Sequence, residues 1–497
     1  MERILPRCFA LVAALLLTGS YSALHAAEKP NIILVMPDDV GYGDFSCNGN
    51  PIIRTPHIDA FAKTSVRFTD FHVSPTCAPT RCALMTGRHE FKSGVTHTIY
   101  ERERMSRKAA TLPQMLKRAG YVTGIFGKWH LGDEPEYQPN KRGFDEVFIH
   151  GAGGIGQTYM GSCGDAPGNT YFSPAILHNG TFEKTNGYCT DVFFNQAIDW
   201  IDKQRSSGKP FFAYITPNAA HGPLQVPNSY FARHQGKIGD DLAKFYGMIE
   251  NIDDNFGRLM QQLDKWQLAE NTLVIFMTDN GGTLGVKTEN GGRRGGKNTP
   301  YQGGTRVPAF WRLPAGFETN VATDSLTAHV DIFPTLAVAA GEGLSAGEQE
   351  QIDGRTLLRR TGQDPEAVVK LQNADGPLGR YFVTHCGRWP RGAAEQAKYT
   401  NCSIRNNHYS LVNNVELYDL KNDPGEMRNL IDSQPQIADV LRAEYDRWWA
   451  DVLPRLENEN ATGPDINPFK ALYWKQFGGG PSAELLNKMK FDPSKQR

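Results

Sequence analysis

The sequence predicts an α/β fold in which helices cover both faces of a large, mixed but mostly parallel sheet. Four apolar runs of the kind found in buried parallel strands occur at residues 32–36, 121–126, 210–216 and 271–278. Segments with helical periodicity lie between them, and such alternation is typical of a parallel sheet. Shorter strands followed by one helix toward the end of the chain predict a smaller C-terminal α+β domain with a short antiparallel sheet.

The helices that flank the sheet are predicted from their caps and their periodicity. Residues 111–120 combine Thr111 at the N-cap, an early Pro113 and a terminal Gly120. Residues 240–265 repeat apolar side chains at three- and four-residue spacing, which places these side chains on one face of a long helix. Both segments are therefore expected to pack one face against the sheet.

A cysteine at the start of a further helix is the most distinctive position in the chain. Pro79 suits a first helical turn and Gly87 suits helix closure, so this helix is expected to begin at about Cys77. Free backbone N–H groups and the helix dipole favour an anion at that end. Arg81, one turn later, returns a guanidinium suited to oxyanions to the same place. The alternative is a buried structural cysteine beside a solvated arginine.

The first residues have the pattern of a secretory signal. Arg3 and Arg7 precede an apolar stretch at 9–17 and small residues after it, so residues 1–27 are interpreted as the signal. An uncleaved N-terminal anchor is the alternative. The signal predicts export to a bacterial periplasm or exterior, or a lysosomal or secreted protein if the source is a eukaryote.

A change of composition divides the rest of the chain. A polar, charged stretch begins near residue 359 and predicts a large domain at 28–360 followed by a C-terminal subdomain at 361–497. The formal net charge of -1 gives no electrostatic reason to expect a nucleic-acid partner. After the predicted signal, the sequence contains no apolar segment long enough for a stable membrane span.

Eight cysteines are present, and an exported chain can form disulfides. The sequence-local pairs Cys163–Cys189 and Cys386–Cys402 are the expected disulfides, although spacing alone does not determine connectivity. The sequence contains no Cys-x-x-Cys pair that would point to a zinc site.

Polar and ionisable residues follow each of the four predicted parallel strands. The residues at these strand ends are Asp38 and Asp39, Lys128 and His130, His221, and Asp279 and Asn280. Because the carboxyl ends of parallel strands meet at one edge of a sheet, we expect these side chains to lie close together. The recurrence of this design at four strands predicts an enzyme.

The strand-end residues suit two kinds of chemistry. The oxygens of Asp38, Asp39, Asp279 and Asn280 favour a hard divalent cation, Ca²⁺ in preference to Mg²⁺. Lys128 and Lys297 offer ammonium groups for an anion, and His130 and His221 titrate near neutral pH and suit proton transfer. Each residue alone has a plain structural interpretation: an aspartate turn, a surface lysine or a hydrogen-bonded histidine.

The pattern Cys77-x-Pro79-x-Arg81, continuing into residues 85–88, resembles the signature of the type I sulfatases in the alkaline-phosphatase superfamily. Further segments are similar to motifs of that family and occur in family order, at residues 36–39, 127–132, 218–223, 278–281, 295–297, 303–308 and 416–430. The resemblance implies an alkaline-phosphatase-like fold and a sulfatase activity. One departure is Gln302, where many members carry Glu, and it puts in doubt only a local salt bridge.

In type I sulfatases a formylglycine-generating enzyme oxidises the cysteine, and the hydrated aldehyde of the resulting formylglycine is the nucleophile. The resemblance implies this role for Cys77 and adds the modified residue to the Ca²⁺ ligands. The implied metal set is Asp38, Asp39, Cys77, Asp279 and Asn280.

The resemblance also implies roles for the basic side chains. Arg81 and Lys128 would hold the modified residue and the sulfate, and Lys297 would be the second sulfate-binding lysine. His221, together with Lys297, would contact the substrate and assist departure of the alcohol. His130 would deprotonate the second hydroxyl of the hydrated aldehyde, so that sulfate leaves.

The expected reaction is therefore hydrolysis of sulfate monoesters, on a sulfated carbohydrate in preference to a small aryl sulfate. Residues 151–189 and 385–402 are expected to select the alcohol, with His385, Arg388 and Trp389 as candidate substrate contacts. Trp389 could instead simply pack a loop. Two alternatives stay open: a phosphonate monoester or phosphodiester hydrolase of the same superfamily, and a non-catalytic glycan-binding relative.

Overall fold

The computed structural model describes residues 29–157, 159, 163–312, 321–360, 369–371 and 379–482. The predicted secretory signal at 1–27 and the end of the C-terminal tail lie outside these residues. The segments 361–368 and 372–378, which adjoin the predicted boundary, also lie outside them. The division into a domain at 28–360 and a subdomain at 361–497 therefore stays a prediction.

The strands of the described residues form one large sheet and three small ones. Their bounds are β1 Asn31–Val35, β2 Val66–Phe68, β3 Phe71–His72, β4 Val122–Lys128, β5 Glu146–His150, β6 Ala175–His178, β7 Thr181–Lys184, β8 Phe211–Thr216, β9 Thr272–Met277, β10 Ala309–Arg312, β11 Ala322–Thr323, β12 Thr327–Ala328, β13 Leu358–Arg360, β14 Val369–Leu371, β15 Phe382–His385, β16 Cys402–Arg405, β17 Tyr409–Val412 and β18 Glu416–Asp419.

Helices connect these strands and cover the large sheet. Their bounds are α1 Pro56–Lys63, α2 Cys77–Thr86, α3 Leu112–Arg118, α4 Cys189–Gln204, α5 Asn228–His234, α6 Asp240–Lys265, α7 Gln302–Thr305, α8 Ile332–Ala339, α9 Ala346–Gln351, α10 Pro435–Val452 and α11 Pro468–Phe477. The predicted starts at Cys77 and Asp240 are confirmed. Gly87 closes α2 with a φ of 67°, a left-handed conformation that glycine adopts without strain.

The large sheet runs in the order β11-β2-β10-β9-β1-β8-β4-β5-β6-β7 within the described residues. The five central strands, from β9 to β5, are parallel, and antiparallel pairs occur toward both edges. The four strands predicted from apolar runs are neighbours at the centre. The predicted mixed, mostly parallel sheet is confirmed, and the carboxyl ends of these strands lie at one edge.

Alternate side chains of β1 enter the two cores on opposite faces of the sheet. Ile32 and Leu34 pack in one core, with residues of α2, α3 and α8, whereas Ile33 and Val35 pack in the other, with residues of α4 and α6. Burial on both faces explains why the strand is continuously apolar. The sheet is therefore held rigidly between two layers of helices.

The C-terminal residues form the small antiparallel sheet that the sequence predicts. Its order is β15-β16-β17-β18, and aromatic residues of α10 pack in the same core as residues of this sheet. Farther along the chain, α11 lies beside the edge strand β7. The side-chain amide of Gln476 donates to the carbonyl of Phe182 (2.7 Å) and accepts from its N–H (2.8 Å).

The expected disulfides Cys163–Cys189 and Cys386–Cys402 are wrong, because every described cysteine is a free thiol. The Sγ atom of Cys163 lies 3.3 Å from His130 Nε2, and Cys189 instead contacts Asn218 Oδ1 at 3.4 Å. The residue that pairs with Cys402 across the β15–β16 ladder is His385. Cys386 is the next residue and so belongs to the other face of the ladder.

None of the helices in the described residues has both the length and the apolar character needed to cross a bilayer.

Replacing Leu259 of α6 by alanine should lower the free energy of unfolding by about 2–5 kcal/mol, because its fully buried side chain packs α6 against the sheet. Gln261, exposed on the same helix, is the matched control, and Gln261→Ala should change stability by less than about 0.5 kcal/mol. Urea unfolding measures both. Equal losses would contradict this packing of α6.

Candidate active site

The sheet brings the predicted strand-end residues together around the first turn of α2. Asp38 and Asp39 follow β1, Lys128 ends β4 and Asp279 follows β9. One donor atom from each of Asp38, Cys77 and Asp279 lies within 4.8 Å of those of the other two. The clustering that the sequence predicts from separate strands is therefore present.

Cys77 is the first residue of α2 and is buried. Burial raises the pKa of its thiol, but the ammonium groups of Lys128 and Lys297 outweigh burial, so the pKa lies below its ordinary value. The N-terminal end of the helix adds a further positive potential. Position 77 therefore lies where negative charge is stabilised.

Arg81 is fixed by three acceptors that belong to different parts of the fold. Its Nη2 donates to Asp279 Oδ2 at 2.8 Å, and its Nη1 donates to the carbonyl of Lys128 at 3.1 Å and to the hydroxyl of Thr216. The side chain is buried, which lowers its pKa, but Asp279, Tyr214 and Asp38 together outweigh burial and raise the pKa above its ordinary value. The guanidinium thus stays charged and ties α2 to β4, β8 and β9.

Two lysines neutralise the adjacent aspartates separately. Lys128 Nζ lies 2.5 Å from Asp38 Oδ2, and Lys297 Nζ lies 2.5 Å from Asp39 Oδ1. Burial raises the pKa of Asp38 more than Lys128 lowers it. At Asp39, Lys297 and His221 outweigh burial and hold the pKa well below its ordinary value. Asp39 is therefore the more firmly ionised of the pair.

The oxygen atoms of this cluster fit a hard divalent cation. Asp38 Oδ1 and Asn280 Oδ1 are buried, and neither has a hydrogen-bond partner among the described residues. Burial, together with the nearby Asp38 carboxylate, raises the pKa of Asp279 to about 6. A divalent cation would satisfy both oxygens and relieve the repulsion between the carboxylates. These residues, with the donor atom at position 77, could therefore hold Ca²⁺.

His130 has a hydrogen bond that defines its tautomer. Its Nε2 lies 2.7 Å from the carbonyl of Thr98, which can only accept, so Nε2 carries the proton. Its Nδ1 is buried and has no partner within the described part of the chain. Burial lowers the pKa of His130 well below its ordinary value. The imidazole is therefore neutral, and its Nδ1 is unprotonated and available to accept a hydrogen bond or a proton.

His221 is oriented in a comparable way but lies nearer to solvent. Its Nδ1 donates to the carbonyl of Gly222 at 2.8 Å, and its Nε2 lies 3.7 Å from Asp39 Oδ2. Burial lowers its pKa even though Asp39 acts in the opposite direction. The Tyr171 hydroxyl lies 2.6 Å from the His221 carbonyl and supports this loop. Nε2 is thus the nitrogen directed into the cluster.

Two of the predicted sugar contacts are packed in the C-terminal core. His385 is 1% exposed and Trp389 is 5% exposed. The Trp389 ring contacts Phe91 and Trp449, and its Nε1–H donates to Glu459 at 2.7 Å. Both rings therefore take part in packing, which is the alternative that the sequence left open for Trp389, and Trp389 in addition lines the cavity beside this loop.

Arg388 lines a cavity together with its neighbours Gly387 and Trp389, and it also reaches the histidine site. Its Nη2 donates to the hydroxyl of Thr98 at 3.1 Å, and the Thr98 carbonyl is the acceptor for His130. The cavity has a volume of about 390 Å³ and is lined by Arg388, Asn298, Gln396 and other residues of this loop. Asn298 directly follows Lys297, so this cavity adjoins the cluster.

Sequence reasoning missed the residues that support the predicted ones. Thr216 holds Arg81, Tyr171 supports His221, and both Thr98 and Cys163 contact Nε2 of His130. Only Thr216 had a usable signal, because it ends a predicted parallel strand at the same edge. Gln302, the departure from the family pattern, donates to Pro424 through its side chain, which is a local contact with the C-terminal residues.

Comparison with known proteins adds relatives of similar length. The family model described as Sulfatase matches residues 30–342. N-acetylgalactosamine-6-sulfatase of Canis lupus familiaris is 30% identical over 479 residues, which cover 86% of this chain and 87% of that protein. Arylsulfatase A of Homo sapiens is 30% identical over 473 residues, which cover 86% and 89%.

A solved structure has the same fold at somewhat lower identity. Ps i-CgsB, crystallised in complex with k-i-k-neocarrahexaose, has a TM-score of 0.75 and 27% sequence identity, and the match covers 90% of this chain and 97% of that one.

Replacing Arg81 by methionine should destabilise the metal-free protein by about 3–5 kcal/mol, because Asp279 loses its buried counter-ion. The folded-state pKa of Asp279, already raised to about 6, would rise further. The folded variant would then bind a proton more tightly than the unfolded chain, so its loss of stability should be greater at about pH 8 than at about pH 4.

Urea unfolding in chelator at both pH values measures this effect, with exposed Arg258→Met as the control. A loss that does not depend on pH would contradict the pairing of Arg81 with Asp279.

Proposed function

The chain belongs to the sulfatase family and is a sulfuric ester hydrolase, and we propose that its nucleophile is a formylglycine made from Cys77. The observation that supports this most directly is the position of Cys77. The residue begins a helix, its Sγ lies within 4.8 Å of one carboxylate oxygen each of Asp38 and Asp279, and two ammonium groups lower the pKa of its thiol. A hydrated aldehyde there supplies one hydroxyl that attacks sulfur and a second that allows sulfate to leave.

We further propose that Asp38, Asp39, Asp279, Asn280 and position 77 bind Ca²⁺. The two unpartnered buried oxygens and the raised pKa of Asp279 support this assignment. Bound Ca²⁺ would lower the pKa of a coordinated hydroxyl and neutralise charge on the sulfate oxygens. Asp39 differs from the other ligands because Lys297 keeps it ionised before any cation binds.

The basic side chains have separate roles in the proposed mechanism. Arg81 and Lys128 keep positive charge on either side of position 77, and Lys297 lies where it can contact a sulfate oxygen. The deprotonated hydroxyl at position 77 forms a bond to sulfur while the ester S–O bond breaks, and the alcohol oxygen receives a proton from Nε2 of His221. Because Nδ1 already donates to the Gly222 carbonyl, His221 performs this step in its doubly protonated, cationic form. His130 Nδ1, which is unprotonated and has no partner among the described residues, accepts a proton from the second hydroxyl. The net reaction adds water and yields an alcohol and sulfate.

The proposed substrate is a sulfated carbohydrate. Sugars carry many hydroxyl groups, and the cavity beside Lys297 presents Asn298, Gln396 and Arg388, which can bind hydroxyl or anionic groups. Among the described residues, Asn298 Oδ1 is buried without a partner and can accept a hydrogen bond. The names of the relatives, an N-acetylgalactosamine-6-sulfatase and a protein crystallised with a neocarrahexaose, support the same class.

Maturation and location belong to the same proposal. Conversion of Cys77 requires a formylglycine-generating enzyme as a transient partner. The predicted signal at residues 1–27 supports export, to a bacterial periplasm or exterior or to a lysosome.

Cys77→Ser should leave the fold intact but abolish turnover, because a serine has one hydroxyl and cannot expel the sulfate that it accepts. Peptide mass spectrometry over residue 77, combined with activity on sulfate and phosphate esters, tests the nucleophile in wild-type and variant protein. Full activity with an intact Cys77 thiol would exclude the formylglycine. Much faster turnover of phosphonate or phosphodiester substrates would favour the superfamily alternative.

Asp279→Ala should lose bound Ca²⁺ and activity together, because the variant removes a ligand from the centre of the cluster. Metal content of purified protein measures the loss, with Asp202→Ala, an exposed residue, as the matched control. Wild-type metal content in Asp279→Ala would contradict the proposed site.

Arg388→Ala should lower kcat/KM on the natural glycan by about 10- to 100-fold, as expected when a hydrogen bond to a charged group is lost. Turnover of a small aryl sulfate, which lacks the further sugar units of the glycan, should change little. The exposed Arg428→Ala is the control for loss of positive charge. Equal losses on both substrates would remove Arg388 from the set of glycan contacts.

A further inference from the structure

We propose that Gly153 and Gly154 are positioning residues that set where the imidazoles of His130 and His221 lie. Both glycines belong to the loop that follows β5, and the sequence contains them in the run Gly151-Ala152-Gly153-Gly154. This inference rests on the proton-transfer roles proposed above and extends them to residues that carry no chemistry themselves.

The two glycines contact different histidines. A Cβ atom at Gly154 would lie 2.5 Å from His221 Nδ1 and 2.6 Å from the Gly222 carbonyl oxygen. These two atoms form the hydrogen bond that orients His221. A Cβ atom at Gly153 would lie 3.0 Å from Gln157 Oε1, at the end of a flexible side chain, and 3.1 Å from His130 Cε1. Consecutive residues of one loop therefore limit the positions of both imidazoles.

Space, and not backbone conformation, requires glycine at these positions. Neither residue has a φ in the left-handed region, unlike Gly156 with a φ of 74°. Alanine can adopt the backbone conformation of Gly153 and Gly154 without strain. Any effect of an added methyl group should therefore pass through the atoms that it contacts.

The loop itself is held in place, so it cannot easily move away from the histidines. The N–H of Gly156 donates to Asp165 Oδ2 at 2.9 Å. At the other end, a Cβ on Gly151 would already meet Asp133 Oδ1 at 2.7 Å and the Gly164 carbonyl at 2.8 Å. A methyl group at Gly154 is consequently expected to displace the His221 imidazole. A methyl group at Gly153 overlaps less with its neighbours and is expected to displace the His130 imidazole by a smaller distance.

The expected kinetic effects differ because the two histidines act on different protons. Gly154→Ala should misdirect the proton donor, so kcat/KM should fall by about 10- to 100-fold for phenyl sulfate, a poor leaving group. For nitrophenyl sulfate, whose alcohol needs little protonation, the loss should be about threefold or less. Gly153→Ala should retain kcat/KM and lower kcat, with a burst of released alcohol, because the step that frees sulfate becomes slower.

The decisive experiment compares Gly154→Ala, His221→Ala and the double variant on both aryl sulfates. If the glycine acts through the imidazole, the double variant should be no slower than His221→Ala alone. Gly347→Ala is the matched control, because a Cβ there meets nothing within 4 Å. Thermal unfolding of each variant establishes that the fold is retained.

Two outcomes would overturn the inference in distinguishable ways. In the first outcome, the loss of kcat/KM in His221→Ala is larger for phenyl sulfate than for nitrophenyl sulfate, but Gly154→Ala lowers kcat/KM equally for both. Gly154 then does not act through His221. The same conclusion follows if the losses of the two single variants multiply in the double variant. If His221→Ala itself shows no dependence on the leaving group, the proposed role of His221 fails, and the positioning role fails with it.

Discussion

The structure around position 77 depends on the balance between three buried carboxylates and three cations. A buried charge is costly unless an opposite charge lies close to it, and each carboxylate here has its own partner. The pairs are Asp38 with Lys128, Asp39 with Lys297, and Asp279 with Arg81. Because the partners come from different strands, loops and α2, the balance exists only when the central sheet is correctly assembled. The buried carboxylates that could bind a cation therefore also require the surrounding strands and α2 to be arranged in this order.

Much of this arrangement could be predicted from local sequence. Continuous apolar runs identified the central strands, and the aspartates that follow β1 and β9 within three residues identified the edge at which these strands meet. The supporting contacts could not be predicted, because the bond from Arg81 to Thr216 depends on strand order, which no local pattern encodes. The expected disulfides failed for a related reason. Proximity in sequence placed Cys386 and Cys402 together, whereas the ladder register pairs Cys402 with His385.

The C-terminal loop shows a second limit of sequence reasoning. Aromatic and basic residues next to each other are typical of sugar-binding loops, but the same residues also pack well in a core. In this chain Trp389 is buried among aromatic rings and Arg388 extends toward the histidine site. Composition made the segment a candidate, but only the three-dimensional arrangement shows that the Trp389 ring packs against other aromatic rings while Arg388 donates to Thr98. The positioning role proposed for the glycines beside His130 and His221 could not be predicted from the sequence either, since it depends on side chains that approach from other parts of the fold.

The hydrogen bonds of the Gln476 side-chain amide protect an edge of the large sheet from aggregation with unfolded chains. A strand at the edge of a sheet offers unpaired N–H and C=O groups to any extended chain, and this is a common route to aggregation. On β7 the Gln476 side chain hydrogen-bonds both the backbone N–H and the backbone C=O of Phe182, and the exposed Lys184 adds a charge to the same edge. One side chain from α11 thus stops strand addition at that point without providing a strand of its own. Loss of α11 would therefore expose an edge of the large sheet to strand addition and lower the solubility of the protein.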